Sequence, residues 1–256
     1  MDGQDTLETL ARADAESRLP RLGGMARPNG VVIAGERYWA FAGVDGSLRE
    51  GEMPAAPRLL RRVPLVRGLL RLASAISPLV RRRGVVQARE RWFLICALGG
   101  SFAFFLLPAR AELAAGVLLT LAMVAWIMRG RTLNLHGAEH RAIRAAEDRR
   151  LGLAWAGDAR PSRFAARCGT NFAALVLPVA VLFERTSPIP AAFVALLALG
   201  LTMELWLAIE GRTHRVARAF LVPGLLLQRL TTREPRLDET RVALRATASV
   251  LRRELG

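Results

Sequence analysis

The chain has 256 residues, 52% of them hydrophobic, with a mean hydropathy of +0.24 and a formal net charge of +15. Its two cysteines, Cys96 and Cys168, form no CxxC pair, which excludes the disulfide framework of small secreted proteins. All 37 basic residues are arginines, and they are almost absent from four apolar stretches; this segregation argues against a basic nucleic-acid-binding domain and favours a membrane protein.

The N-terminal third is predicted to lie on the cytoplasmic side. Residues 1–22 are acidic, contain no apolar core of a signal peptide and are predicted to be disordered. Residues 23–56 are predicted to form a small β element, with strands at 31–33 and 37–42 and a turn at 44–47.

Residues 57–91 are predicted to form a basic amphipathic region at the membrane interface. Between 57 and 76, leucines and arginines fall on opposite sides of a helix, a pattern that suits anionic lipid headgroups. An ordinary solvated face that also signals topology is the alternative interpretation.

The four apolar stretches are predicted to cross the bilayer as two helical hairpins, residues 92–128 and 172–209. Their limits are 92–108, 113–128, 172–183 and 189–209. The third stretch is short for a hydrocarbon core of about 30 Å, but its closeness to the fourth favours a hairpin. The alternative is a soluble helical bundle in which 172–183 and 219–227 are buried helices.

Arginine counts predict the orientation of these spans. Residues 1–91, 129–171 and 210–256 contain sixteen, nine and ten arginines, whereas the two short turns contain only Arg110 and Arg185. By the positive-inside rule, both termini and the 129–171 loop lie in the cytoplasm. The predicted fold class is therefore mainly α: a polytopic membrane protein with four transmembrane helices, a small N-terminal β element and cytoplasmic helices.

The C-terminal region, residues 210–256, is predicted to be cytoplasmic or interfacial. Its apolar segment 219–230 is interrupted by Pro223 and Gly224, which favours a re-entrant or interfacial stretch. Residues 238–255 are predicted to form a cytosolic helix with Asp238 as its N-cap.

The string His136-Gly-Ala-Glu139-His140 contains two of the three histidines of the chain. On a helix these positions share one face, and H-x-x-E-H is the spacing with which inverted zincins hold zinc and use the glutamate for proton transfer. We therefore predict that His136 and His140 bind a metal and that Glu139 is the catalytic acid or base. A surface helix with two chance histidines is the alternative.

Other candidates follow from the predicted topology. Cys168, Glu210 and His214 are expected at the same cytoplasmic surface as His136, where a thiolate and imidazoles suit zinc or iron(II). Cys168 is predicted to be a ligand, with a small buried residue as the alternative. Glu204 lies inside an apolar stretch and is expected to face an arginine or the metal, or else to reach the interface.

Several ordered segments together resemble a known family. They are Gly23-Gly24, Asn29-Gly30-Val31, 64–68, the HGAEH string, RCGT at 167–170, Glu204, and PGLLLQRLTTREP at 223–235. This combination is similar to the YqhQ family, bacterial membrane proteins of unknown function that are predicted to be metal-dependent enzymes. The resemblance implies a multi-pass protein of the bacterial cytoplasmic (inner) membrane and a metal site at His136, Glu139, His140 and Cys168.

The chain departs from the family pattern at three places. Ala165-Ala166 stands where such proteins tend to have His-Pro, Asn29 where they have glutamate, and Arg241 where the tail has an acid. Loss of these groups is expected to weaken a metal site strongly, and this resemblance therefore implies a divergent member with an altered site.

Two functions are consistent with the sequence. The first is a metal-dependent enzyme of the hydrolase kind, with a divalent cofactor, best zinc, at the cytoplasmic membrane face. The alternative is a non-catalytic scaffold or assembly factor that binds a cytosolic or membrane protein. The lipid bilayer, through its anionic headgroups, is the expected partner of the arginine-rich segments, and no specific nucleic acid is expected.

Overall fold

The protein is described by a computed structural model that covers residues 2–55, 59–81, 84–103, 107–165, 168–172, 174–176, 179, 191–209 and 215–256. Within these residues the chain is mainly helical, with one small β-sheet. The helices are α1 (Gly3–Ala15), α2 (Val66–Val80), α3 (Ala88–Ala103), α4 (Ala109–Met128), α5 (Thr132–Glu147), α6 (Leu151–Ala156), α7 (Ala191–Ile209), α8 (Arg215–Thr231) and α9 (Leu237–Leu255). The strands are β1 (Gly23–Arg27), β2 (Gly30–Ala34), β3 (Tyr38–Gly43) and β4 (Leu48–Glu52).

The chain divides into two compact units, and we describe each by itself. Unit 1 comprises residues 1–54, 127–165 and 228–256, and unit 2 comprises residues 55–126 and 166–227.

Unit 1 is built on an antiparallel sheet with the strand order β1-β2-β3-β4. Val31 pairs with Ala42 and Ile33 with Ala40, and all four side chains are buried. Since alternate residues of a strand point to the same face, these positions form one apolar face of the sheet. Helices α5 and α9 pack against the sheet.

Alanines allow the helices of unit 1 to approach the sheet closely. Ala138 and Ala142 on α5, together with Ala246 on α9, are completely buried in the same core as Val31 and Ile33. A small side chain on a helix face shortens the distance to the neighbouring element. The same packing fixes the position of α5, the helix that carries the HGAEH string.

The two predicted strands are confirmed, but the N-terminal prediction was wrong. Residues 3–15, expected to be disordered, form α1, which is capped by Asp2 and buries Leu10 and Ala13 in the core of unit 1. The acidic composition was misleading because α1 is amphipathic: Asp5 and Glu8 are exposed, whereas Leu10 and Ala13 face the core.

The C-terminal helix was predicted within one residue, but its cap was not. Glu239, rather than Asp238, accepts a hydrogen bond from the backbone N–H of Arg236 at the start of α9. Asp238 instead pairs with Arg131, at 3.2 Å. Arg131 also pairs with Glu239, at 3.0 Å, so Glu239 both closes the start of α9 and binds this arginine.

Unit 2 consists of helices, among which α2 packs on α7. A Cβ atom on Gly68 would lie 2.7 Å from the Cβ of Met203, so only glycine allows this approach. The predicted helix at 57–76 is shorter at its start: a 3₁₀ turn at Leu60–Arg62 precedes α2. Pro64 disfavours a helical conformation in the residue before it, which accounts for the later start.

The prediction of four membrane spans was wrong for the part of the chain that the structure describes. None of the helices found there is both long enough and apolar enough to cross a membrane. Glu204 lies inside α7, whereas Glu90 and Glu112 lie in the first turns of α3 and α4, just before the predicted spans. The third predicted span, 172–183, lies mostly outside the described residues.

The chain is not broken at Pro223 as expected, whereas the interfacial location predicted for this segment stays a prediction. Residues 215–231 form one helix, α8, with Pro223 inside it. Gly224 lies against Asn171, and the two approach so closely that a side chain at position 224 would collide with the asparagine.

Candidate metal centre

His136 and His140 lie one turn apart on α5 and face each other. Their ring centroids are 4.4 Å apart, with an angle of 65° between the ring planes. One ring nitrogen of His136 lies within 4.8 Å of one of His140. The i, i+4 spacing produces this pairing directly, because such side chains lie above one another on a helix.

Each histidine is oriented by a backbone carbonyl. The Nδ1 of His136 lies 2.8 Å from the carbonyl oxygen of Thr231, and the Nδ1 of His140 lies 2.6 Å from that of Arg163. A carbonyl oxygen can only accept, so both Nδ1 atoms carry the proton and both Nε2 atoms carry the lone pair. This is the tautomer in which metal-binding histidines are usually held.

The Nε2 atom of His140 is the most informative atom of the site. It is buried, and among the described residues it has no hydrogen-bond partner. A buried acceptor without a partner is costly and rare in folded proteins. A metal ion at this atom would satisfy its lone pair, so the residues present fit a metal.

Burial keeps both imidazoles neutral. Desolvation lowers the pKa of His136 and outweighs the hydrogen bond to Thr231, which acts to raise it. Desolvation, together with the neighbouring His136, lowers the pKa of His140 to about 4. Neutral imidazole is the form that binds metal, and protons therefore do not compete for His140 near neutral pH.

The segment 231–235, which contains the TTREP string, packs along α5 and holds His136. The backbone N–H of Arg233 donates to the carbonyl of Leu133 at 2.9 Å, and the side-chain amide of Asn134 donates to the carbonyl of Glu234 at 3.2 Å. Gly137 makes the close approach possible, because a Cβ at this position would collide with the carbonyl oxygen of Arg233. The glycine of HGAEH thus has a structural explanation that its sequence alone did not supply.

A second segment, residues 159–165, holds His140. Its anchor is Gln228, a fully buried side chain whose amide accepts from the N–H of Ala165 at 2.9 Å and donates to its carbonyl at 2.8 Å. Arg163 also donates to the carbonyl of Thr232 at 3.0 Å. The sequence analysis gave Gln228 and Arg163 no role, although Gln228 is a polar residue in an apolar stretch and lies in the PGLLLQRLTTREP segment.

Glu139 was predicted to share the face of the histidines, but its carboxyl group faces β1. It is buried, and a Cβ atom on Gly24 would lie only 2.6 Å from its Cγ. Desolvation raises the pKa of Glu139 to about 8 and outweighs a hydrogen bond from the backbone of Ala26, which acts to lower it. Glu139 is therefore a neutral carboxylic acid at pH 7, packed between helix and sheet.

Cys168 belongs to unit 2, where it is buried. Its sulfur accepts hydrogen bonds from the hydroxyl of Thr170 at 3.2 Å and from the backbone N–H of Thr170 at 3.4 Å. Such donors stabilise negative charge on sulfur, and the thiolate is the form that binds metals.

Glu204 pairs with an arginine, one of the two partners expected for it. Its carboxylate forms hydrogen bonds with the guanidinium of Arg67, at 2.8 Å from Nε, and with the N–H of Leu65 at 3.1 Å. The hydrogen bond from Arg67 lowers the pKa of Glu204 and keeps it charged. The other two candidates, Glu210 and His214, lie outside the described residues.

The three positions that depart from the resembling family have ordinary structural contacts. Ala165 is held through its backbone by Gln228. Asn29 accepts a hydrogen bond from Val44 through its carbonyl, at 2.9 Å, and Arg241 donates to the carbonyl of Trp155 at 3.0 Å. None of these contacts involves His136 or His140.

Comparison with known proteins gives one family match. Residues 102–253 match the family described as "Protein of unknown function (DUF1385)", which agrees with the resemblance noted above and includes HGAEH, RCGT and TTREP. Neither the curated proteins nor the solved structures contain a significant match. Because the match covers more than half of the sequence, the chain belongs to the DUF1385 family.

Proposed function

We propose that this protein is a metal-dependent enzyme, of the hydrolase kind, in which His136 and His140 bind a divalent metal ion. The observation that carries the proposal is the buried Nε2 atom of His140, which has no hydrogen-bond partner among the described residues. Its neighbour His136 is held in the same tautomer by a separate carbonyl. Two neutral imidazoles, each fixed through Nδ1, are preorganised to bind an ion through Nε2.

Cys168 is proposed as the third ligand. Arg163 is bonded to His140, and Ala165 is fixed to Gln228, so the chain is anchored beside the histidines three residues before Cys168. The short sequence separation between Ala165 and Cys168 supports this proposal, since three residues of extended chain span about 11 Å at most. Each of the three side chains offers one ligand atom.

Zinc suits this set of ligands best. Two imidazoles and a thiolate combine borderline and soft donors, as in the zinc sites of some dehydrogenases, whereas magnesium and calcium prefer oxygen. Three protein ligands leave a fourth position for water or substrate, and bound Zn²⁺ would supply Lewis acidity and a water of lowered pKa. Glu139 has no part in the proposal, because its carboxyl group faces β1 and is neutral.

Metal content of the purified protein tests the proposal. Asparagine retains an N–H near the position of Nδ1 but has nothing in place of Nε2, so His136→Asn with His140→Asn removes the ligand atoms while keeping the bonds to Thr231 and Arg163. We expect about one zinc per untagged wild-type chain and a loss of at least tenfold in the double variant, measured by elemental analysis after dialysis.

A matched variant controls for changes on the same helix. Arg144 is half exposed on α5 and pairs only with Glu147 and Asp148 in the described structure, so Arg144→Gln should retain the metal. Equal zinc in the wild type and the double variant would refute the metal site. A wild-type zinc site without hydrolysis of ester, phosphate-ester or peptide substrates would restrict the proposal to metal binding and favour the scaffold.

A further inference from the structure

Unit 2 exposes large apolar side chains on several of its helices. Trp92 on α3 is 62% exposed, Leu118 and Leu121 on α4 are 67% and 61% exposed, and Phe193 on α7 is 61% exposed. Val222 and Leu226 on α8 are also exposed, at 49% and 52%. Monomeric proteins in water rarely leave this many large apolar groups exposed, so these groups are expected to contact a partner.

The same unit carries most of the net positive charge of the chain. Its residues, 55–126 and 166–227, include sixteen arginines and five acidic residues. Residues 53–89 contain nine arginines and no acid. The partner of such a surface is expected to be both apolar and negatively charged.

Apolar and basic groups occur together in and around α2. Arg67 and Arg71 lie on the exposed side of this helix, and the 3₁₀ turn before it exposes Leu59, at 77%. Basic helices with exposed apolar groups lie in the headgroup layer of membranes, where arginine contacts phosphate and leucine enters the acyl boundary.

We propose that unit 2 docks on the surface of an anionic lipid bilayer. Charge complementarity favours this partner over a second copy of the chain: a symmetric dimer would bring the same arginine-rich surface of both copies together, and like charges would repel. Negatively charged phospholipid headgroups instead attract the arginines while the acyl boundary covers Trp92, Leu118 and Leu121. This inference does not depend on the metal site.

Vesicle flotation of the full-length protein tests the inference. The vesicles contain either phosphatidylcholine alone or phosphatidylcholine with phosphatidylglycerol at 7:3, at low and at high salt. We expect at least tenfold stronger binding to the anionic vesicles, weakened by salt, because each arginine near such a surface contributes about fivefold in affinity. Equal binding to both vesicles, or none to the anionic ones, would overturn the proposal.

Variants locate the surface. Arg71→Glu with Arg89→Glu should reduce anionic binding at least tenfold, and Leu118→Ser with Leu121→Ser should reduce it severalfold. Arg150→Glu with Arg160→Glu makes the same charge change on exposed residues of unit 1 and should have less than a threefold effect. An equal loss in this control would show that net charge, and not unit 2, is responsible, and would overturn the assignment.

Tryptophan quenching in the wild-type protein tests the proposal without relying on variants that could fail to fold. Brominated anionic lipid should quench tryptophan emission of the wild type, and Trp92→Phe should reduce the quenched fraction. Absence of quenching, or sedimentation as a dimer without vesicle binding, would contradict a lipid partner and favour a second copy of the chain.

Discussion

At the scale of single residues, the environment of each acid or imidazole decides its chemistry. His136 and Glu139 are three positions apart on one helix, yet one ring is held by a carbonyl while the carboxyl group is packed against β1. The H-x-x-E-H spacing predicted the pairing of the histidines, because the helix period alone produces it. It did not predict the direction of Glu139, which depends on the position of the sheet.

Glu139 makes the stability of the metal-free protein depend on pH. Its pKa is about 8 in the folded state, above the ordinary value of 4.5, so the folded protein holds a proton that the unfolded chain loses. The stabilising contribution is complete below about pH 4.5 and is lost as the pH rises to about 8. The loss is on the order of 3–5 kcal/mol, since each pKa unit corresponds to about 1.4 kcal/mol.

Glu139→Gln should remove this dependence. Glutamine resembles the protonated acid and still accepts from Ala26, so we expect similar unfolding free energies at pH 5 but a variant that is more stable by a few kcal/mol at pH 8.5. Urea unfolding of chelator-treated protein at both pH values measures the difference. Glu147→Gln, a less buried acid on α5, should show no such gain; parallel pH profiles for wild type and Glu139→Gln would contradict a neutral buried acid.

At the scale of elements, α5 is held by two segments of the chain, 159–165 and 231–235. The 231–235 segment bonds to Leu133, Asn134 and His136, and the 159–165 segment is anchored by Gln228 beside His140. Both segments are held by long-range contacts through backbone carbonyls, which any residue type offers. The sequence analysis therefore singled out HGAEH and TTREP as parts of a family pattern, but it could not predict that the two segments contact each other.

Replacement of Gly137 tests the contact between α5 and the 231–235 segment. Gly137→Ala would force the TTREP segment away from α5, and we expect a destabilisation of about 1–3 kcal/mol, the usual cost of overpacking, with weaker zinc binding. Gly152→Ala on α6 is the matched control: its new Cβ would meet its nearest neighbour, a carboxylate oxygen of Asp14, at an ordinary 3.6 Å. This control should be neutral or slightly stabilising, as alanine favours helix. Chemical unfolding gives both values, and equal effects would refute this contact.

At the scale of the whole molecule, the sequence predicted where strands and helices lie better than it predicted what surrounds them. The strands around Val31 and Ala40 and the helix 238–255 follow from alternation and helical periodicity, and the structure confirms them. The same hydrophobicity led to four spans, which the described helices do not support. An apolar run of 12 to 20 residues indicates that a helix is covered by apolar groups, but it does not indicate whether lipid or protein provides them.

The predicted inner-membrane location and orientation stay predictions. Trp92 and Phe193 are exposed apolar groups of unit 2, and a lipid surface is their proposed partner. In unit 1, by contrast, Val31, Ile33 and Leu244 are buried within one hydrophobic core.

The electronic spectrum of the protein loaded with Co²⁺ tests the proposed metal ligands, because it reports the number and type of ligands at a zinc site. We expect intense visible bands of a tetrahedral ion together with a near-ultraviolet thiolate-to-cobalt band. Cys168→Ser should lose the thiolate band, and His140→Asn should lose the visible bands. A weak spectrum of octahedral, oxygen-bound cobalt, unchanged in both variants, would contradict a centre formed by His136, His140 and Cys168.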